Sequence, residues 1–447
     1  MKRIGRYEII GRLGRGSMST VYKAKAPVTG RLVALKILQP RNEIFMDLVG
    51  EARLREMFVE EARIMGALSH DHVAKIIDCD AHEGQPFIVL EYFAHSLGAF
   101  IGEAYRVEAP SRIISAAKTK TYLVQALKGL ERLHFAGIIH RDIKPFNLMI
   151  TSDDRIKIID FGLSRVRGEE KMTIPGMQVG SPYYAAPEQE KDPQQADGRA
   201  DLFSLGVMGY RMLTGVLVDW RGGKIQPPSE LNTELGPEWD ECLLRSMALP
   251  AAERYADAQQ MRLAVESLPL AAGPKCTGDA IFLARDVRSI GRSRRKEPVR
   301  MMYKNIRAEL GLDDLLRPRH YAVQDFAVVG PLVALEKNSG LYWQRRGSGF
   351  TLNWQQAHEY VQFLNDTRWQ GAGSWRLPTL EEVMTLLNPP LHGVSCSSWP
   401  LLDNTVHWLW SCDHCTKKQA WMVDVVESFF DRLDKDGVAS VCAVRTA

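Results

Sequence analysis

His140-Arg141-Asp142-Ile143-Lys144-Pro145-Phe146-Asn147 decides how the rest of this chain is read. It follows an apolar run, Gly137-Ile138-Ile139, and packs an acid, a base and an amide into one short loop. Asp142 can accept a proton from a hydroxyl nucleophile, Lys144 can neutralise a phosphoryl oxygen, and Asn147 can ligate a magnesium ion. Thirteen residues after Asn147 comes Asp160-Phe161-Gly162, behind the strand-like Ile156-Lys157-Ile158-Ile159, and it offers a second carboxylate for the metal. Such a collection suits phosphoryl transfer.

In order and spacing these two motifs resemble those of eukaryotic-like protein kinases of the serine/threonine class. The resemblance covers about Tyr7 to Leu268 and implies a bilobal fold with ATP and Mg2+ between the lobes. It implies that Asp142 orients or deprotonates an acceptor hydroxyl, that Lys144 stabilises the transferring phosphoryl group, and that Asn147 and Asp160 hold the metal. Upstream, Tyr7 to Val21 alternates apolar and polar residues and breaks at Gly14-Arg15-Gly16-Ser17-Met18-Ser19-Thr20-Val21. Glycines there let backbone amides approach phosphates, with Val21 over the adenine, although a plain hairpin turn has the same composition. Ser19 stands where the kinase pattern has its third glycine. Leu13, Gly14, Gly16, Ser17, Ser19, Val21 and Ala34 are the expected upper wall of the ATP site.

Val33-Ala34-Leu35-Lys36-Ile37-Leu38 reads as a strand with Val33, Leu35 and Ile37 on one side and Ala34, Lys36 and Leu38 on the other. A lysine in so apolar a strand needs a counter-charge or a route to solvent. In a helix from about Glu51 to Leu68, Met57, Ile64, Met65 and Leu68 share a face with Glu61, whereas Glu60 lies about 100° away. Glu61 is therefore the expected partner of Lys36, and the resemblance gives this pair the α- and β-phosphates. It also places Leu90 behind the nucleotide and the backbone of Glu91 and Phe93 at the adenine edge.

Thr121 to Phe135 is an amphipathic helix that leads into the decisive loop. Between Gly162 and Gly180 the resemblance marks an activation segment, with Thr173 as the expected phosphorylation site opposite Arg141. Ser181 would bridge the catalytic aspartate and lysine, which with Lys144 favours Ser/Thr acceptors. Asp201 would anchor the catalytic-loop backbone, and Arg254 would pair with Glu188.

The composition sets the frame. A chain of 447 residues with 45% hydrophobic content has room for two or three globular domains. A net charge of +3 gives no case for a nucleic-acid partner, and no apolar run reaches a membrane span. The N-terminal stretch lacks a signal-peptide core, and seven scattered cysteines fit reduced thiols, so a cytoplasmic protein is expected.

Pro269 to His320 crowds arginine and lysine together and reads as a basic linker, solvated or lying over the kinase part; without interleaved aromatics it does not argue for nucleic acid. From about Tyr321 tryptophan becomes frequent, with seven of the ten between Trp343 and Trp410. Trp354, Ala357, Val361 and Leu364 share a helix face, and Thr379 with Glu382 forms a capping-box pattern. The succession Gly340-Leu341-Tyr342-Trp343-Gln344, Trp375-Arg376-Leu377-Pro378-Thr379, Leu409-Trp410-Ser411 and Cys442-Ala443-Val444-Arg445 resembles the Lcl C-terminal-like family. That family implies a C-type-lectin or formylglycine-generating-enzyme type of fold and no assigned function. Cys412-Asp413-His414-Cys415 has a metal-like spacing but no second close pair, so ordinary thiols are expected.

The sequence thus predicts an α+β chain: a bilobal kinase domain over 7–268, a basic linker over 269–320, and a lectin-like domain over 321–447. The expected activity is transfer of the ATP γ-phosphoryl group to serine or threonine of protein substrates, with autophosphorylation. A recognition domain follows, its ligand unnamed. The alternative is a pseudokinase scaffold whose tail is the binding module, favoured only by Ser19. The kinase part is expected to be complete by Leu268 and the tail to fold by itself.

Overall fold

The computed structural model describes residues 2–16, 19–40, 50–103, 107–160, 165–166, 183–192, 196–219, 222, 225–270, 295–322, 324–389 and 406–446. Ser17, Phe161, Gly162, Thr173, Ser181 and Cys396 lie outside these residues.

The upper lobe is a six-stranded antiparallel sheet. A short strand, Arg3–Ile4, leads in order to β1 (Tyr7–Arg15), β2 (Ser19–Lys25), β3 (Leu32–Leu38), then β5 (Gln85–Glu91) and β4 (Ile76–His82). Period-two alternation sorts its side chains. Val33, Leu35 and Ile37 bury one face with Ile4, Tyr7, Ala24, Phe87 and Val89. On the other face cross-strand partners align Val21 with Lys36 and Ile88, and Lys23 with Ala34 and Leu90.

Helix α1 (Glu51–Gly66) covers part of that second face. Its buried stripe is Leu54, Phe58, Ala62 and Met65, one position round from the stripe expected through Met57 and Glu61. Burying the phenylalanine ring removes more apolar surface than burying Met57, so the helix turns toward Phe58. Glu61 is left on the shoulder of the stripe rather than at its centre.

In the lower lobe, α2 (Leu97–Ile101) and α3 (Ala116–Phe135) begin at Ser96 and Ser115, whose hydroxyls cap them. A hairpin of β6 (Leu148–Ile150) and β7 (Ile156–Ile158) crosses α3, and α4 (Gly198–Thr214) is buried from Ala200 to Thr214. A helix buried on every side can only be a core element. Helices α5 (Pro237–Ser246) and α6 (Ala258–Ser267) close the lobe.

The C-terminal unit is mostly sheet. Its four-stranded sheet runs β8 (Phe326–Gly330), β9 (Val333–Glu336), β10 (Leu341–Gln344), β14 (Val444–Thr446), so a late strand closes on an early hairpin. Helix α8 (Trp354–Asp366) buries Ala357, Val361 and Leu364, and the Thr379–Glu382 capping box opens α9 (Leu380–Val383). A second sheet comprises β11 (Trp408–His414), β12 (Gln419–Asp424) and β13 (Phe429–Asp434).

Two expectations are corrected. The supposed linker is, from Arg295 on, part of this unit: α7 (Tyr303–Leu310) and Met301, Leu312 and Leu316 share a core with Trp421 and Phe430. Arg295 gives Nη1 and Nη2 to the buried Asp413 at 2.8 and 3.0 Å, and Nε to Glu381 at 3.1 Å. Nor do the units stand apart. One continuous core joins lower-lobe residues such as Leu97, Phe100 and Tyr122 to Trp408, Met422 and Phe429. No helix among the described residues is long and apolar enough to cross a membrane.

Candidate active site

The loop His140–Asn147 is held from beneath. The Asp201 carboxylate, fully buried near the start of α4, accepts from the backbone N–H of His140 at 3.0 Å and of Arg141 at 2.8 Å. It also meets His134 Nε2 at 2.8 Å. Burial by itself would raise its pKa, yet His134 and the loop amide hold it below the usual aspartate value. The fixed carboxylate lets Arg141 keep a left-handed backbone, φ 65°, a conformation costing about 1–2 kcal/mol for a residue with a Cβ.

His140 sets the loop's other side. Its Nε2 lies 3.0 Å from the Ile159 carbonyl, so this nitrogen carries the proton, and Nδ1 accepts from the Asp142 N–H at 3.2 Å. The Asp142 carboxylate is thereby turned toward its neighbours. Lys144 Nζ donates to Asp142 Oδ2 at 2.7 Å, and Asn147 Nδ2 donates to the same oxygen at 2.9 Å. Ile159 N–H donates to the Asn147 carbonyl at 2.9 Å, which ties the next residue, Asp160, to the same loop.

From the upper lobe Lys36 Nζ reaches Glu61 Oε1 at 2.8 Å and Asp160 Oδ1 at 3.0 Å. Burial opposes its charge, but the Asp160 and Glu61 carboxylates outweigh that and raise its pKa above the ordinary lysine value. Asp160 also sits at positive φ, 63°, and its side chain is 49% exposed, so its carboxylate opens to the cleft while touching Lys36. Six side chains, Lys36, Glu61, Asp142, Lys144, Asn147 and Asp160, thus form one charged array across the two lobes.

Above them, Gly16 N–H closes a turn on the Ser19 carbonyl at 2.8 Å, with Gly14 opposite Val21 and Leu13 left open to solvent. Glu91 holds Lys157 Nζ at 2.9 Å and the Lys75 N–H at 2.7 Å through its carboxylate. Arg254 grips Glu188 with two parallel bonds at 2.6 and 2.8 Å.

The donor set fits a hard cation: the Asp160 carboxylate and the Asn147 amide are oxygen ligands of the kind Mg2+ takes. The C-terminal cysteines behave differently. Among the described residues no group of three or more His, Cys, Asp or Glu is arranged to hold a metal, and burial pushes the Cys412 thiol up to about 12.

One charged group escaped the sequence reading. Lys23, on the cleft side of β2, has a side chain only 5% exposed and meets Asp434 and Asp436 at 2.8 and 2.5 Å. Its one local signal is a lysine within the alternating Val21-Tyr22-Lys23-Ala24.

Residues 7–233, just over half of the chain, match the protein kinase domain family, and residues 333–445 match the Lcl C-terminal domain family. A probable serine/threonine-protein kinase of Streptomyces coelicolor, SCO3848, is 32% identical over an alignment of 280 residues that covers 59% of this chain and 40% of that protein. Serine/threonine-protein kinase Pkn1 of Myxococcus xanthus is 30% identical over 281 residues, 59% of this chain and 38% of its own. The chain spans about two fifths of the length of these relatives. The crystal structure of the Mycobacterium tuberculosis PknI kinase domain is 24% identical with a TM-score of 0.45, covering 59% of this chain and 97% of that one.

Proposed function

Since the chain belongs to the protein kinase family, we propose that it is an ATP-dependent protein serine/threonine kinase. The observation that carries this reading is the array in which Lys36 lies between Glu61 and Asp160, while Asp142 holds Lys144 and Asn147 on one oxygen. Asp160 and Asn147 would hold Mg2+, whose charge neutralises that of the phosphates. Lys36, steadied by Glu61, binds the α- and β-phosphates of ATP. Leu13, Gly14, Gly16, Ser17, Ser19, Val21 and Ala34 cover the nucleotide, and the Glu91 and Phe93 backbone reads its edge.

Asp142 accepts the hydroxyl proton as the acceptor oxygen attacks the γ-phosphorus. The bond to the β-phosphate oxygen breaks, and Lys144 stabilises the transferring oxygens. Positioning and fixed charge supply most of the acceleration. The pseudokinase alternative has only Ser19 in its favour, and the six positions of the array, all filled, weigh against it.

The substrates are proteins, the chain itself among them, with Thr173 the expected site on the activation segment and Ser181 the hydroxyl expected to bridge Asp142 and Lys144. Free thiols at Cys79, Cys242, Cys412, Cys415 and Cys442 support a reducing, cytoplasmic setting. The kinase unit is taken as 7–268 and the C-terminal unit from Arg295 onward. The closure of β14 on β10, with two helices between, supports the lectin-like type of fold for a recognition or sensing domain.

Purified protein with Mg2+ and ATP should phosphorylate itself or a generic basic protein, and Lys36→Met and Asp142→Asn should each abolish this without unfolding. Equal phosphate incorporation by wild type and Asp142→Asn would overturn the reading.

A further inference from the structure

We propose that the C-terminal unit is a strut across the rear of the nucleotide cleft, with Lys23, Asp434 and Asp436 as residues that position the upper lobe for ATP. The proposal rests on the kinase reading for its link to nucleotide and on geometry for everything else.

The strut is β13. At its first residue, Phe429 packs edge-on against Phe100 of the lower lobe, ring centroids 5.4 Å apart, with the Arg112 guanidinium 4.0 Å from its ring centre. Just before it, Glu427 accepts from the Ser115 hydroxyl at 2.8 Å. At its last residue, Asp434 reaches Lys23 of the upper lobe at 2.8 Å, joined by Asp436 at 2.5 Å. Six extended residues span about 17 Å from end to end, enough to bridge two lobes. Both ends touch the kinase, one on each side of the segment that joins the lobes.

The upper anchor sits where it can matter. Lys23 faces the same side of the sheet as Val21, Ala34 and Lys36, because paired residues on neighbouring strands point the same way. Its ammonium also lies 4.8 Å from the ring centre of Tyr92, the residue between Glu91 and Phe93. One lysine therefore touches the roof of the cleft, the connection between the lobes, and the C-terminal unit.

The acidic end is built rather than fortuitous. Asp434 Oδ1 accepts from Gln419 Nε2 at 3.2 Å, and its carbonyl accepts from the Gly437 N–H at 2.7 Å, closing the turn that carries Asp436. Lys435, between the two aspartates, turns away to lie 3.7 Å from the ring centre of Trp354. Both carboxylates consequently converge on Lys23 from a turn already fixed within its own unit.

The full-length chain carrying Asp434→Asn and Asp436→Asn tests this. The KM for ATP should rise about five- to tenfold while kcat stays within about twofold, since a partly exposed charged pair is worth a modest factor. Amide exchange of 19–25 and 89–93 should accelerate in the same protein without nucleotide. Lys23→Gln should match it, Lys23→Arg should stay near wild type, and the combined variant should be no worse than either. An unchanged KM together with unchanged exchange, or fully additive effects, would overturn the strut. Wild type that transfers no phosphate would sink the kinase reading instead, and the exchange measurement would still decide the strut.

Discussion

The cleft face and the rear face of the same two lobes are assembled from opposite materials. In the cleft, charged and polar groups satisfy one another, with Lys36 and Asn147 buried and Asp160 open: Lys36 with Glu61 and Asp160, Lys144 and Asn147 with Asp142. At the rear of the lower lobe, Phe100, Tyr122, Trp408 and Phe429 are buried together, and the polar groups among them are sealed from water. Groups of the first kind can be replaced isosterically with little loss of fold. Groups of the second kind cannot, because each removed ring leaves a cavity.

The sharpest break of this comparison is on the cleft side. Asp142→Asn keeps the shape and the hydrogen-bonding reach of the residue, so activity should fall by about 10²- to 10⁴-fold with no change in the unfolding midpoint. Phosphate incorporation and a thermal melt on one preparation check both halves. Phe429→Ala is the mirror experiment: denaturant unfolding should register a loss of about 3–4 kcal/mol. A fragment ending at Leu268 uncovers the same rings and should melt below the full chain, contrary to the independence that the sequence suggested.

A smaller effect separates the faces by pH. Burial lowers the pKa of His95, which lies edge-on to Trp408, despite the nearby Asp431, Asp424 and Asp434. Burial, then Lys118, lowers that of His407, against Asp154 and Asp424. Histidines held neutral in the fold contribute fully above about pH 6.5, and that contribution is lost as pH falls toward their folded values. Stability should therefore drop by on the order of 1 kcal/mol per histidine between about pH 6.5 and 5, and His95→Gln with His407→Gln should flatten the profile. Smallest of all is the effect of chelator: with Cys412 and Cys415 both buried thiols, the unfolding midpoint should not move.

The cleft was far more legible than the rear. Catalytic loops are local, so Asp142, Lys144 and Asn147 announce themselves within six residues, and strand alternation with helix spacing was enough to bring Lys36 to Glu61. Helix spacing gave the partner but not the rotation of α1, because Phe58 outweighs Met57 only once the facing strand is known. The rear depends on partners hundreds of residues apart. The basic run that includes Arg295 read as a connector, solvated or lying over the kinase part, yet Arg295 closes on buried Asp413, and farther along Arg317 donates to the Ile113 carbonyl at 2.7 Å. No periodicity marks such a pair. Lys23 was missed for the same reason, its carboxylates lying 411 and 413 residues away.

That distance along the chain has a consequence for birth on the ribosome. From Leu268 to Phe429 takes roughly eight to thirty seconds of synthesis at 5–20 residues per second. Throughout that interval the aromatic pocket around Phe100 and Tyr122 exists without its lid, on a lobe whose helices can already pack. The nascent protein must pass through a stage with a finished front and a sticky, uncovered back, the surface that chaperones recognise, until β13 emerges to close it.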